Sequence, residues 1–375
     1  MLEQIKLTTA QQHAVDSALD YVEGKHKYTL QNAAFFSVGG YAGTGKTTLI
    51  KVLVDRLRED GIVTGVCAYT GKAAHVLQQK GVNQATTIHR KIYSWDESTS
   101  SFYLKSKSEF PYKALIIDEA SMVSLELFED LCTFGVPIIA IGDLGQLPPI
   151  SKHDLNLVES PDVLLEDIHR QSEGNQIIRL ATSIRQSADF SFLDFDTEAN
   201  GNVLITNEDI LDSMLARCDV IICARNSTRT IVNNDKRKLL KRKSVLDPGE
   251  RVIFLQNNPN LQVFNGQTAT VINLQRRYND NNILVELEFD DGTLRTMPIT
   301  TAFVGEKLDW DKTKHYRDFG IVDYAYALTC HKAQGSEWDH VGVIREPMTF
   351  NGWDQPRWDY TAITRASKQL TIYSD

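Results

Sequence analysis

The sequence is poor in cysteine, in long apolar runs and in excess positive charge, and each shortage removes a class of answer. Five cysteines, Cys67, Cys132, Cys218, Cys223 and Cys330, are scattered along 375 residues. Their number is odd and no pair has the two-residue spacing of a zinc clamp, so neither a disulfide scaffold nor a cysteine-bound zinc is expected. They read as buried small hydrophobes in a reducing compartment. The apolar run 136–141 falls far short of the roughly 18 residues of a membrane span, and no basic-then-apolar leader opens the chain. A cytoplasmic protein with no membrane partner is therefore expected. With 40 Lys and Arg against 49 Asp and Glu, the net charge of -9 argues against a protein that coats duplex DNA through a global positive field. A local basic channel with stacking aromatics can still hold a single strand on an acidic protein. Repeats with periods of 20–50 residues and long low-complexity tracts are also missing, which excludes solenoids and disordered arrays.

What is present suits two or three domains. Segments 33–38, 65–69, 114–118 and 136–142 read as buried parallel strands, with helices expected over 8–22 and 47–58. In the second helix Leu49, Val52, Leu53 and Leu57 fall on one face, as in an α/β sheet covered on both sides. A second α/β set follows, with strands at 219–224, 324–329, 341–344 and 370–373, and it carries no phosphate loop of its own. Between its strands, 251–255, 268–274 and 283–289 read as β, and Asp290-Asp291-Gly292 as a hairpin turn into 294–299, giving a small inserted barrel. The expected domains are 1–160, then 161–248 with 319–375, and 249–318 for the barrel.

The strongest signal is Gly40-Tyr41-Ala42-Gly43-Thr44-Gly45-Lys46-Thr47, a G-x-x-x-x-G-K-[ST] string after a strand and opening a helix, with Thr48 next. Its glycines let successive N–H groups converge on phosphate oxygens, and the helix N-terminus adds positive potential. Lys46 would reach the β and γ phosphates of ATP, and the Thr47 hydroxyl would bind Mg2+. Downstream, an apolar strand delivers Asp118 and Glu119 at its C-terminal end, where ligands of open α/β sheets bind. Asp118 can share the magnesium with Thr47, and Glu119 is placed to polarise an attacking water. The next strand ends at Asp143 and Gln146 on the same edge, and Gln146 could touch the γ-phosphate.

Together these motifs resemble the superfamily 1 helicases, within them the 1B branch of the RecD and phage Dda type, over nearly the whole chain. The resemblance implies two RecA-like parallel-sheet domains, an inserted SH3-like barrel and a pin hairpin at about 92–110. It implies that Gln11 reads adenine and that Thr70, Lys72 and His89 contact a nucleic-acid backbone. Glu166-Asp167-Ile168-His169-Arg170-Gln171 resembles the motif whose arginine, here Arg170, touches the γ-phosphate. His331-Lys332-Ala333-Gln334-Gly335-Ser336-Glu337 is similar to the fifth motif, which implies strand contacts through His331 and Lys332 and nucleotide contacts through Gly335 and Glu337. Tyr360 to Ala366 is similar to the sixth, with Arg365 an arginine finger from the second domain. Phe102 or Tyr103 is a wedge in the pin on this reading, against the plainer one that both pack the hairpin onto the first domain. Ser124 stands where the family often has an acidic residue, and it should cap the following helix.

The implied activity is ATP-dependent translocation on single-stranded DNA, 5′ to 3′, by a monomer acting on forked or tailed duplex. Single-strand-binding or replication proteins are the candidate protein partners. Three rivals stay open from the residues alone: a phosphate-loop switch or small-molecule kinase, an RNA-directed helicase, and a non-catalytic loader. The first leaves Arg365 and the second α/β set without a role.

Overall fold

In the strand 114–118 successive residues alternate between two greasy layers, and that alternation is the organising feature of the first half of the molecule. The computed structural model describes residues 7–25, 35–96, 101–148, 156–167, 175–187, 191–192, 195, 201–208, 210–258, 260–306, 310–347 and 354–374. By compactness the chain divides into one unit of 1–94 with 102–186 and another of 95–101 with 187–375.

The first half of the chain forms β1 (Phe36–Gly40), β2 (Thr64–Ala68), β3 (Thr86–Thr87), β4 (Tyr93–Asp96), β5 (Ser101–Leu104), β6 (Ala114–Asp118), β7 (Ile138–Gly142) and β8 (Val163–Leu165); β4 and β5 form a separate two-stranded ribbon whose residues 95–101 are grouped with the second unit, and the other strands belong to the first. The main sheet runs β3-β2-β6-β7-β1-β8, parallel throughout. Its helices are α1 (Thr9–Val22), α2 (Lys46–Glu59), α3 (Gly71–Gln79), α4 (Ile88–Ile92), α5 (Leu125–Cys132) and α6 (Gln176–Gln186). Ile116, Val38, Val66 and Ile139 pack on one side with Val15 of α1, Leu53 and Leu57 of α2 and Leu77 of α3. Leu115, Ile117, Cys67 and Ala140 pack on the other with Ile88 and Ile92 of α4 and Leu127 and Leu131 of α5. This is the period-two pattern of a strand buried on both faces. Thr8 caps α1 in a capping box with Gln11, and Ser124 caps α5 by accepting the Leu127 N–H at 3.3 Å, as expected of it. Cys67, Cys218, Cys223 and Cys330 are buried, and burial pushes the Cys67 thiol up to about 12, the behaviour of an inert core residue.

Three expectations for residues 1–186 need correction here. The strand expected at 33–38 lies at Phe36–Gly40, because Gly39 and Gly40 are needed inside it. A Cβ at Gly39 would sit 2.1 Å from Leu144 Cδ1, and one at Gly40 2.7 Å from Thr44 Oγ1. On α2 the buried stripe includes Val54 in place of Val52, which is only partly covered. The expected boundary after residue 160 also moves: β8 pairs with β1 and α6 packs in the same unit. A local clasp explains β8, since the Asp162 carboxylate accepts from the Ser37 N–H (2.7 Å) and hydroxyl (2.9 Å).

The second unit has β9 (Val203–Thr206), β10 (Val220–Cys223), β11 (Arg251–Phe254), β12 (Thr268–Arg277), β13 (Asn282–Phe289), β14 (Leu294–Thr300), β15 (Gly320–Tyr324), β16 (Ala327–Thr329), β17 (Trp338–Arg345) and β18 (Ala366–Ser374). A parallel sheet runs β16-β10-β17-β18-β9, and β11 to β15 close into a barrel around Val252, Phe254, Val271, Val285, Leu287 and Val322. The barrel closes later than expected: β15 pairs with β11 and β14, so the stretch expected as sheet strand 324–329 is shared between the last stave and β16. Closure removes both open edges of the meander, which favours recruiting β15. Its helices are α7 (Leu211–Arg217), α8 (Asn226–Leu239), α9 (Trp310–Thr313), α10 (Cys330–Ala333) and α11 (Gln355–Ile363). Helix α8 is tied to the barrel by a buried ion pair from Arg229 to Asp323 at 2.5 Å.

Candidate functional site

Because the first sheet is wholly parallel, the loops after β1, β2, β3, β6 and β7 all leave from one edge, and most of the singled-out residues of the first unit gather there. Gly43 (φ 81°) and Gly45 (φ 80°) adopt left-handed backbone that a side chain would oppose, and Gly45 caps α2 without a side chain. The first-turn N–H groups of a 14-residue helix thus face the loop. The Lys46 ammonium donates to the carbonyls of Gly40 and Tyr41, both at 2.9 Å, and meets Asp143 Oδ2 at 3.4 Å. Thr44 is buried, its hydroxyl donating to Tyr41 O at 2.8 Å, while Thr47 and Thr48 are partly exposed in the first turn.

Gln11 is buried beneath this loop. Its carboxamide donates to Thr44 O at 3.0 Å and accepts the Thr8 N–H at 3.0 Å, so it joins α1 to the phosphate loop. The cap at Thr8 and the placement of Gln11 beneath the loop are one arrangement.

Asp118 ends β6 with Oδ1 accepting the Glu119 N–H at 3.0 Å. Enclosure by protein, then the neighbouring Glu119 charge, pushes its carboxyl well above the usual carboxylate range, and Lys46 opposes the shift. Glu119 itself is held in left-handed backbone (φ 54°, ψ 41°), a conformation that costs a non-glycine residue about 1–3 kcal/mol. Among the described residues, its Oε2 is buried without a hydrogen-bond partner, as are Gln146 Oε1 and Ser121 Oγ. Backbone strain and orphaned acceptors in one place are what a preorganised reaction site stores. Asp143 is buried, with Oδ1 accepting the Gly145 N–H at 2.9 Å and Oδ2 facing Lys46. The hydroxyl of Thr47 and the carboxylate of Asp118 are hard-oxygen donors on this edge, and the crowding of Asp118 and Glu119 favours a cation; this donor chemistry fits magnesium.

Thr70 caps α3 by accepting the Ala73 N–H at 3.2 Å, and Lys72 is partly exposed in its first turn. The His89 ring lies 5.7 Å from Tyr93, and burial lowers its pKa. Phe102 and Tyr103, 37% and 42% exposed, are successive on β5 and so face opposite sides of the ribbon. Phe102 leans on Tyr93 with ring centres 6.4 Å apart, and the Tyr103 hydroxyl donates to Glu109 at 3.4 Å.

Arg170 lies outside the described residues. The elements on either side of it, β8 and α6, belong to the first unit, not to the second as expected.

In the second unit, residues 330–337 run from the C-terminal end of β16 to the N-terminal end of β17 and split the expected contacts between two sheet edges. His331 and Lys332 sit at the first, and burial lowers both pKa values. Gly335 (φ 66°) and exposed Glu337 sit at the second, near Arg365. Arg365 is buried: its guanidinium donates to Thr361 O (3.0 Å), Ser336 O (3.2 Å) and the Thr364 hydroxyl (3.1 Å). Sequence reading missed one feature of the first unit, Arg185 lying 3.8 Å over the Tyr41 ring, and no motif signals it.

Residues 25–203 match the AAA domain and residues 324–373 the UvrD-like helicase C-terminal domain. The chain is 27% identical over 354 residues to the ATP-dependent RecD2 DNA helicase of Deinococcus radiodurans, covering 87% of this chain and 45% of that protein. It is 30% identical over 195 residues to the ATP-dependent DNA helicase dda of Enterobacteria phage T4, covering 48% of this chain and 42% of that one. It thus spans less than half of either relative. A crystal structure of Pif1 helicase from Bacteroides with ADP-AlF3 and single-stranded DNA shares the fold, with TM-score 0.56 at 19% identity, covering 99% of this chain and 93% of that one.

Proposed function

We propose that this chain is a superfamily 1B helicase that hydrolyses ATP to move along single-stranded DNA and separate duplex ahead of it. The observation that carries the proposal is the reaction edge of the first sheet. Lys46 is poised on loop carbonyls, and beside the loop stands Glu119, strained and with an unpartnered buried oxygen. Relatives named as ATP-dependent DNA helicases support the choice of polymer and nucleotide.

In this reading Lys46 leaves the carbonyls of Gly40 and Tyr41 for the β and γ phosphates, and the first-turn N–H groups of α2 hold the remaining oxygens. Thr47 and Asp118 would hold magnesium, which when bound neutralises phosphate charge. Glu119 Oε2 accepts a proton from the attacking water, and Gln146 Oε1 orients that water. Gln11 sits under the loop to read the base, while Arg170 and Arg365 stabilise charge on the transferring phosphoryl group. Arg365 uses three of its five N–H donors on partners in its own unit, and the remaining N–H groups would serve the phosphate. Gly335 and Glu337 share its edge as nucleotide contacts. Thr70, Lys72, His89, His331 and Lys332 are proposed to grip the strand, the hydroxyl and imidazoles by hydrogen bonding and the lysines by charge. Closure and reopening of the two motor units then become steps along the strand.

The β4–β5 ribbon is proposed as the pin, with Phe102 or Tyr103 as wedge, and the barrel as SH3-like. Both exposed rings could stack on a terminal base, a contact worth about 1–3 kcal/mol. Movement from 5′ to 3′ is proposed from the kinship with the RecD and Dda type. Unwinding of partial duplexes bearing either a 5′ or a 3′ tail tests activity and direction together. Strand release from the 5′-tailed substrate alone is expected, and no release from either would overturn the assignment.

A further inference from the structure

The phosphate loop is held from outside as well as from within. The Tyr41 carbonyl is its hub, accepting from the Thr44 N–H (3.3 Å), the Thr44 hydroxyl (2.8 Å) and the Lys46 ammonium (2.9 Å). On the ring of the same residue lies the Arg185 guanidinium, 3.8 Å from its centre. Arg185 belongs to the last turn of α6, whose Ile177, Leu180, Ala181 and Ile184 are buried at helical spacing and fix the rotation of the helix. Among the described residues no carboxylate pairs with Arg185. A planar guanidinium laid on an aromatic face is a geometry that lysine would not reproduce.

We infer that Arg185 is a positioning residue for the nucleotide, acting through Tyr41 to hold the phosphate loop in its receptive shape. The inference rests on the reading of this loop as an ATP site. When Lys46 moves to phosphate, the Tyr41 carbonyl keeps only its two bonds to Thr44. The stacked ring then prevents the peptide from turning and its carbonyl from facing the anion. Without the stack, each binding event must order the loop, a cost that falls on nucleotide affinity and not on the chemical step.

Single-stranded-DNA-stimulated ATP turnover tests this, with equilibrium binding of a fluorescent ATP analogue as a second readout. Arg185→Ala and Tyr41→Leu are each expected to raise KM about three- to tenfold with kcat within about twofold, the size of a partly exposed cation–π contact. Tyr41→Phe, which keeps the ring, should recover the KM that Tyr41→Leu loses. The double variant Arg185→Ala, Tyr41→Leu should be no worse than either single one. A wild-type KM in Arg185→Ala, or additive losses in the double variant, overturns the inference alone. If Arg185→Ala does not fold, the contrast between Tyr41→Leu and Tyr41→Phe still decides, since equal KM values would refute it. Absence of binding and turnover in the wild type, or their survival in Lys46→Ala, would instead retire the ATP-site reading.

Discussion

Replacing Glu119 separates chemistry from architecture in a way the structure makes quantitative. Its carboxylate has a buried Oε2 with no partner, and its backbone sits at φ 54°. Glu119→Gln keeps the shape but removes the base, so hydrolysis should fall by about 10²–10⁴-fold, the usual contribution of a positioned general base. That range corresponds to about 2.7–5.5 kcal/mol of barrier. Stability should not fall, because no hydrogen bond is lost at the buried oxygen. Glu119→Gly goes further: it relieves left-handed strain of about 1–2 kcal/mol and should unfold at higher denaturant while hydrolysing no faster than Glu119→Gln. Phosphate release in the presence of saturating single strand measures the first effect, and equilibrium urea unfolding the second. Glu119→Gln turnover within tenfold of wild type, or a stability loss in both variants, would refute the argument that this residue is strained for chemistry.

Three further outcomes follow from other parts of the molecule. Asp323→Ala should destabilise by about 3–5 kcal/mol in urea unfolding, because it leaves Arg229 buried and unpaired and removes the acceptor of the Gly305 and Tyr324 N–H groups, and adding Arg229→Met should recover only the part due to the orphaned charge. Burial raises the Asp359 carboxyl to about 6 despite Arg345 and Gln355 beside it. The folded state therefore holds that proton more tightly than the unfolded one, and the contribution, full below pH 4, is lost as pH rises to about 6. Relative to Asp359→Asn, wild-type stability should drop by about 3 kcal/mol across that window, and parallel profiles would contradict it. If Phe102→Ala and Tyr103→Ala both unwind forked duplex at the wild-type rate with normal ATP turnover, neither ring is the wedge.

Much of this arrangement could be read from residue order because its determinants are local. The strand Ala114–Asp118 is an uninterrupted apolar run ending in two acids, and the loop Gly40 to Thr47 announces itself by glycines whose conformations no other residue favours. The elements that escaped are short or are defined by partners distant in sequence. β8 has three residues, too few for a period, and joins the sheet through Asp162 gripping Ser37 125 positions away. β15 completes a barrel only because β11 and β14 offer it edges. At the site, residue identities were legible but their present partners were not. Arg365 could be singled out from its motif and is proposed as a finger, yet residue order does not show its guanidinium bound to Thr361 and Thr364 close by and to Ser336 farther back in the chain. The stacking of Arg185 on Tyr41 joins residues with no shared motif, so only coordinates could reveal it.

Steady-state hydrolysis measured with and without a single-stranded oligonucleotide at one fixed salt concentration tests most directly whether ATP turnover at Lys46 and Glu119 is coupled to a nucleic-acid strand. Turnover that rises steeply on adding the strand and vanishes in Lys46→Ala is the predicted result. Rapid turnover that ignores the strand would contradict the account.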